Sequence, residues 1–74
     1  MTRLTPLTST EIIRILHSLG FQRIRQRGSH IFMRHPDGRA TVVPFHKGED
    51  LGKGLLRSIL NDIEMTWDEF VAAK

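Results

Sequence analysis

The stretch FQRIRQRGSHIFMRHPDGRATVVPF, Phe21 to Phe45, decides the fold. It opens with Arg23, Arg25 and Arg27 two residues apart, the spacing of one face of a β-strand. After Gly28 the segment Ser29 to His35 carries the β-formers Ile31 and Phe32, and Pro36-Asp37-Gly38-Arg39 is a tight-turn sequence. With Ala40 to Val43 as the returning strand, Ser29 to Val43 predicts a β-hairpin. Pro44 ends the sheet because it has no N–H to give the ladder. Phe45 to Gly52 then reads as a polar loop carrying His46 and Lys47.

On either side the period changes from two to 3.6. Upstream, Thr8 and Glu11 have capping-box spacing, Ile12, Ile13, Leu16 and Leu19 recur as one helical stripe, and Gly20 is a stop signal. A helix from about Ser9 to Leu19 follows. Downstream, Leu55, Leu56, Ile59, Leu60 and Ile63 predict a second helix from about Lys53 to Ile63. Thr66 and Glu69 form another capping box, opening a short terminal helix with Trp67, Phe70 and Val71 as its apolar contacts. The expected class is α+β in the order α-β-β-β-α, a three-stranded antiparallel sheet with its helices on one face, plus the short C-terminal helix. At 74 residues the chain is expected to be a single domain, residues 1–74.

A chain this short buries only about 60% of its extended surface, so a well-patterned core must carry its stability. With no cysteine it has neither disulfides nor thiolate chemistry. The 39% hydrophobic content suffices for a modest core. No apolar run approaches the ~20 residues of a membrane span, and the N-terminus lacks a signal-peptide pattern, so a cytoplasmic location is expected. The net charge of +3 is unevenly spread: Phe21 to Arg57 holds eight basic residues against three acidic ones, whereas Ser58 to Lys74 is acidic. An arginine-rich centre suits a phosphate backbone, because guanidinium donates two parallel hydrogen bonds to an oxyanion; solvated strand faces explain the charge equally well.

Proton transfer near neutral pH falls to the four histidines. His17 sits beside Ser18 on the first helix and reads as surface; His35 abuts the hairpin turn and reads as structural. His30 differs. It follows Gly28-Ser29 at a strand start, where glycine lets a phosphate approach the backbone, three arginines lead into it, and alternation places Arg34 on its face.

These residues resemble a family. Leu19-Gly20-Phe21, Arg27-Gly28-Ser29-His30 before a hairpin, Val43-Pro44-Phe45-His46, Leu55-Leu56-Arg57-Ser58-Ile59-Leu60 and Trp67-Asp68-Glu69-Phe70 look, in that order, like the HicA toxins of bacterial toxin-antitoxin systems. The resemblance spans roughly Thr8 to Val71. It implies a double-stranded-RNA-binding-domain-like fold, mRNA interferase activity with mRNA as substrate, no cofactor, neutralisation by a HicB antitoxin, and His30 as the catalytic histidine. The chain departs from the pattern at Glu64, in the turn before the last helix, where many members carry glycine.

The chemistry agrees with that implication. RNA carries its own nucleophile, the 2′-hydroxyl, so cleavage needs a base, a proton donor for the leaving 5′-oxygen, and positive charge at the phosphorane. Imidazole can serve as base or acid, an effect of roughly 10² to 10⁴ in rate. Arg25, Arg27 and Arg34 are the candidates for the charge, and Lys47 a weaker one; each is equally readable as a solvated surface residue. His46, held just after Pro44, is either a second proton carrier or a loop histidine capping a carbonyl. Ser29 either binds phosphate or caps the strand. A zinc site from His30, His35 and His46 lacks ligand spacing and thiolates. Two further classes stay open: a non-catalytic RNA-binding module with a basic sheet face, and a protein whose basic face only docks an acidic antitoxin.

Overall fold

The computed structural model describes residues 4–74; Arg3, which contributes to the charge of the N-terminal segment, lies outside them. The chain runs β1 (Leu7–Thr8), α1 (Ser9–Ser18), β2 (Gln22–Arg27), β3 (His30–Arg34), β4 (Ala40–Pro44), β5 (Asp50–Leu51), α2 (Lys53–Ile63), α3 (Trp67–Ala72). The α+β class, the three-stranded antiparallel sheet in the order β2-β3-β4 and the short terminal helix are as expected.

Helix α1 begins as its capping box dictates. The Thr8 hydroxyl accepts the Glu11 N–H at 3.2 Å, and a Glu11 carboxylate oxygen accepts the Thr8 N–H at 3.0 Å. Ile12, Ile15 and Leu16 are buried, and the helix closes at Leu19. There the N–H of Gly20 donates to the His17 carbonyl and that of Phe21 to the Leu16 carbonyl, the paired bonds of a Schellman end. Gly20 is left-handed at φ 99°, and a Cβ there would meet the His35 ring at 3.0 Å, so glycine is required twice over.

Helix α2 ends in the same way, with Glu64 N–H on the Asn61 carbonyl and Met65 N–H on that of Leu60. Its left-handed residue is Glu64, at φ 57° and ψ 45°. The turn therefore keeps the geometry that favours glycine while carrying a side chain.

The core lies between the helices and one sheet face. Ile31, Met33 and Val43 point into it from β3 and β4, meeting Ile12, Ile15 and Leu16 of α1, Leu56, Ile59, Leu60 and Ile63 of α2, and Phe70 of α3. Phe21 is fully buried with them. From α3 Phe70 reaches the core and Trp67 packs at its edge, while Val71 is only half-buried. Leu55, expected on the apolar stripe of α2, is 38% exposed. Every residue of β2 is exposed, although α1 touches this strand as well as β4.

Two expectations are corrected. Leu7–Thr8 and the end of the presumed loop, Asp50–Leu51, pair antiparallel as a miniature second sheet, with Leu7 opposite Leu51. Both leucines are buried, but two residues are too few to show a period. Second, Arg23, Arg25 and Arg27 do not share a face. A bulge between Arg23 and Arg25 sets Arg23 opposite Met33 and Arg25 opposite Phe32, and those two partners point to opposite sides of the sheet.

The β3–β4 loop is built around Asp37 and Arg39. Asp37 accepts the Arg39 backbone N–H at 3.0 Å and its Nε at 2.8 Å, and Arg39 Nη1 donates to the Ile63 carbonyl at the end of α2. The backbone bond, with the ion pair behind it, holds the Asp37 carboxyl below its ordinary pKa. Arg39 also lies over the Phe21 ring, 5.3 Å from its centre, so this arginine serves the fold.

Candidate active site

The sheet face away from the helices carries His30, Phe32 and Arg34 from β3. Cross-strand pairing arranges its rows. His30 stands between Arg27 and Pro44, Phe32 between Arg25 and Val42, and Arg34 between Gln22 and Ala40. Directly opposed side chains have Cβ atoms about 4.5 to 5.5 Å apart, so Arg27 is the immediate neighbour of the imidazole and Arg25 the diagonal one.

The two-residue turn Gly28-Ser29 makes the Arg27–His30 pair. Gly28 has φ 59° and Ser29 has no positive φ, the pattern of a II′ hairpin with glycine first. No atom lies within 4 Å of a Cβ built on Gly28, so the turn itself asks for glycine there. Its carbonyl accepts the Gln26 side-chain amide at 3.0 Å. The Ser29 carbonyl accepts the Phe45 N–H, which ties the start of β3 to the segment after β4.

That tie brings His46 and Lys47 to the His30 end of the sheet. Ser9 secures the connection: its buried hydroxyl donates to the Pro44 carbonyl at 2.8 Å and accepts the His46 N–H at 3.4 Å. His46 and Lys47 are both exposed. Arg27, Gly28, Ser29, His30, His46 and Lys47 are thus gathered at one end, with Arg25 one row further along. Arg34 shares the face but not the neighbourhood, since four residues of strand separate it from His30 by roughly 13 Å.

The remaining histidines lie elsewhere. His35 packs edge-on against Phe21 with ring centres 5.1 Å apart, and its Nδ1 accepts the Asp37 N–H at 3.1 Å. His17 is exposed on α1 beside a groove lined by Arg14 and Arg23. Among the described residues no group of three or more His, Asp or Glu side chains is placed to hold a metal ion, and no helix is long and apolar enough to cross a membrane.

Two contributors escaped the sequence reading. Ser9 could not be read because its partners are 35 and 37 residues away. Phe32 reads in the sequence as a β-former, and the alternation that puts Arg34 on the His30 face puts Phe32 there as well. The Arg25 guanidinium lies over its ring, 4.8 Å from the centre.

Fold and face together define a small α+β domain with its helices on one side of a sheet whose other side is bare and rich in arginine. The description "HicA toxin of bacterial toxin-antitoxin" matches residues 9–65, and the chain belongs to that family. It is accordingly a toxin of a toxin-antitoxin system, and such a system implies an antitoxin partner. The matched span runs from the start of α1 through α2 to Met65, leaving Trp67-Asp68-Glu69-Phe70 of the terminal helix outside it. No curated protein matches the chain.

Proposed function

We propose that this toxin is an endoribonuclease that cuts mRNA without a metal ion, and that a HicB-type antitoxin neutralises it. The observation that carries the reading is the position of His30: exposed on the sheet face away from the helices, directly across from Arg27, at the end where the chain leaves β4 toward His46 and Lys47. One imidazole takes the proton from the 2′-hydroxyl, and the 2′-oxygen attacks the adjacent phosphorus. The bond from phosphorus to the 5′-oxygen breaks, and a second group returns a proton to that oxygen. The strand is left with a 2′,3′-cyclic phosphate on one side and a 5′-hydroxyl on the other. His30 is assigned the first transfer and His46 the second, with Arg27 and Arg25 balancing the charge that builds on the phosphorane. Gly28, Ser29 and Lys47 bind the phosphates alongside, and Arg34 meets the strand further along.

An acidic antitoxin surface laid on the same face would cover His30 and the arginines together, with opposite charges steering the encounter. The test is incubation of the purified toxin with labelled RNA in EDTA, beside His30→Ala. Cleavage that survives the chelator and disappears in the variant is expected. RNA binding with no cleavage by the unaltered chain would replace the nuclease with a binding module, and absence of both would leave a protein-docking face.

A further inference from the structure

The nuclease reading uses the His30 end of the face and takes only the charge of Arg25 and Arg34 from the rest, leaving the apolar side chains in the middle unexplained. There Ile24, pushed outward at the bulge, is 57% exposed. Beside it are the Phe32 ring, the Arg25 guanidinium across that ring, and Val42 on the far strand. These four side chains and Arg34 line an open concavity of about 360 Å³. Its lining is apolar and aromatic at Ile24, Phe32 and Val42, and polar at the two guanidinium groups, at Thr41 and at the Asp62 carboxylate, which accepts the Thr41 hydroxyl at 2.9 Å. Burial of such side chains stabilises this domain elsewhere, yet here they face outward together.

A planar, weakly polar ligand joined to anionic groups satisfies both halves of that surface. Unpaired RNA bases stack on aromatic rings and on guanidinium planes, while the flanking phosphates take the charge. Bases within a duplex are already stacked and paired and cannot enter. An apolar antitoxin side chain would fit the floor, but it makes no use of a ring and a guanidinium stacked beside phosphate-binding charge. Phe32 lies two residues beyond His30 on the same face, roughly 7 Å along the strand. A base held there belongs to a nucleotide next to the bond presented to His30.

We propose that the Phe32–Arg25 concavity is a nucleobase subsite that takes one unpaired base beside the scissile phosphate and makes the toxin selective for single-stranded RNA. The proposal rests on RNA being the substrate.

The experiment measures binding of a labelled unpaired oligoribonucleotide, the same strand annealed to its complement, and the same strand with one abasic nucleotide moved along it. The full chain carrying His30→Ala serves as the non-cleaving background. Adding Phe32→Leu, which keeps apolar bulk and removes the ring, is expected to weaken unpaired-strand binding about tenfold and leave duplex binding unchanged. Arg25→Lys, which keeps the charge and loses the plane, moves the same way by less. One abasic position is expected to reproduce the Phe32→Leu loss. Equal binding of the unpaired strand with and without Phe32→Leu overturns the subsite, as does equal binding of duplex and single strand by the background protein. If Phe32→Leu instead weakens only the complex with purified antitoxin, the concavity belongs to the protein partner and the base assignment fails. Cleavage in EDTA by the chain with native His30 separates the two ideas. If that chain cuts and Phe32→Leu cuts with unchanged KM, the subsite falls and the nuclease stands; tenfold weaker binding by Phe32→Leu without any cutting leaves the subsite standing and the nuclease refuted.

Discussion

Replacing Glu64 with glycine is expected to make the toxin more stable without touching the site. Glu64 is the left-handed residue of the α2 terminus, at φ 57° and ψ 45°, and is exposed. A side chain held in that region costs roughly 1 to 2 kcal/mol, from which glycine's greater freedom in the unfolded chain removes roughly 0.5 to 1. A carboxylate at a helix C-terminus also faces the negative end of the helix dipole, adding a few tenths of a kcal/mol in the same direction. The sum is about 1 kcal/mol in favour of glycine, which in a domain of this size raises Tm by roughly 4 to 8 °C. Glu64→Ala separates the contributions, because it removes the charge and keeps the Cβ; it is expected to recover only the few tenths. Thermal unfolding followed by circular dichroism measures all three proteins, and urea midpoints with an unchanged m-value check that stability alone has moved. A Glu64→Gly protein that melts at or below the parent, or no higher than Glu64→Ala, refutes the assignment of backbone strain to this turn.

Three other perturbations follow from named residues. Hydrogen bonds from the Thr8 and Thr66 backbones hold the Glu11 and Glu69 carboxyls below their ordinary value of 4.5, and the Arg39 backbone does the same to Asp37 from 3.8. A carboxyl with a lower pKa in the folded state contributes stability above its unfolded value that is lost as pH falls through the folded one. Urea midpoints are therefore expected to decline below about pH 4.5, less steeply in Glu69→Gln than in the parent; equal slopes would contradict this. In the His30→Ala background, Arg27→Gln is expected to lower the salt dependence of RNA binding by roughly 0.7 in log–log slope for each phosphate released. Arg39→Gln, which severs the bond to the Ile63 carbonyl, is expected to lower Tm and leave that slope unchanged, so a changed slope would place Arg39 on the RNA.

Local chemistry made most of the fold legible. Both capping boxes form as their spacing requires, α2 spans the stretch its stripe marked, and the Pro36-Asp37-Gly38-Arg39 turn closes the hairpin. What stayed hidden depends on partners far away in sequence. The β1–β5 pair joins residues more than forty positions apart. The bulge at Ile24 is visible only in the register against β3, and without it Arg23 would be counted with Arg25 and Arg27. At the site, a period of two was enough to put His30 and Arg34 on one face but says nothing of separation along it. The two-residue turn was the stronger signal, because it fixes Arg27 opposite His30 whatever the rest of the sheet does. Arg39 shows the limit of charge counting, since its guanidinium is engaged by Asp37 and the α2 terminus.

Strand β2 lies at one side of the sheet, and among the described residues no other strand pairs with its outer backbone edge. Such an edge templates strand addition from neighbouring molecules, and natural proteins deter this with charge and with bulges. β2 has both: three arginines in six residues and a kink at Ile24. The guanidinium groups that the proposed function assigns to RNA would therefore also keep copies of the toxin apart. Variants that erase them to abolish toxicity are liable to precipitate, and a loss of activity in such variants needs a solubility control before it is credited to RNA.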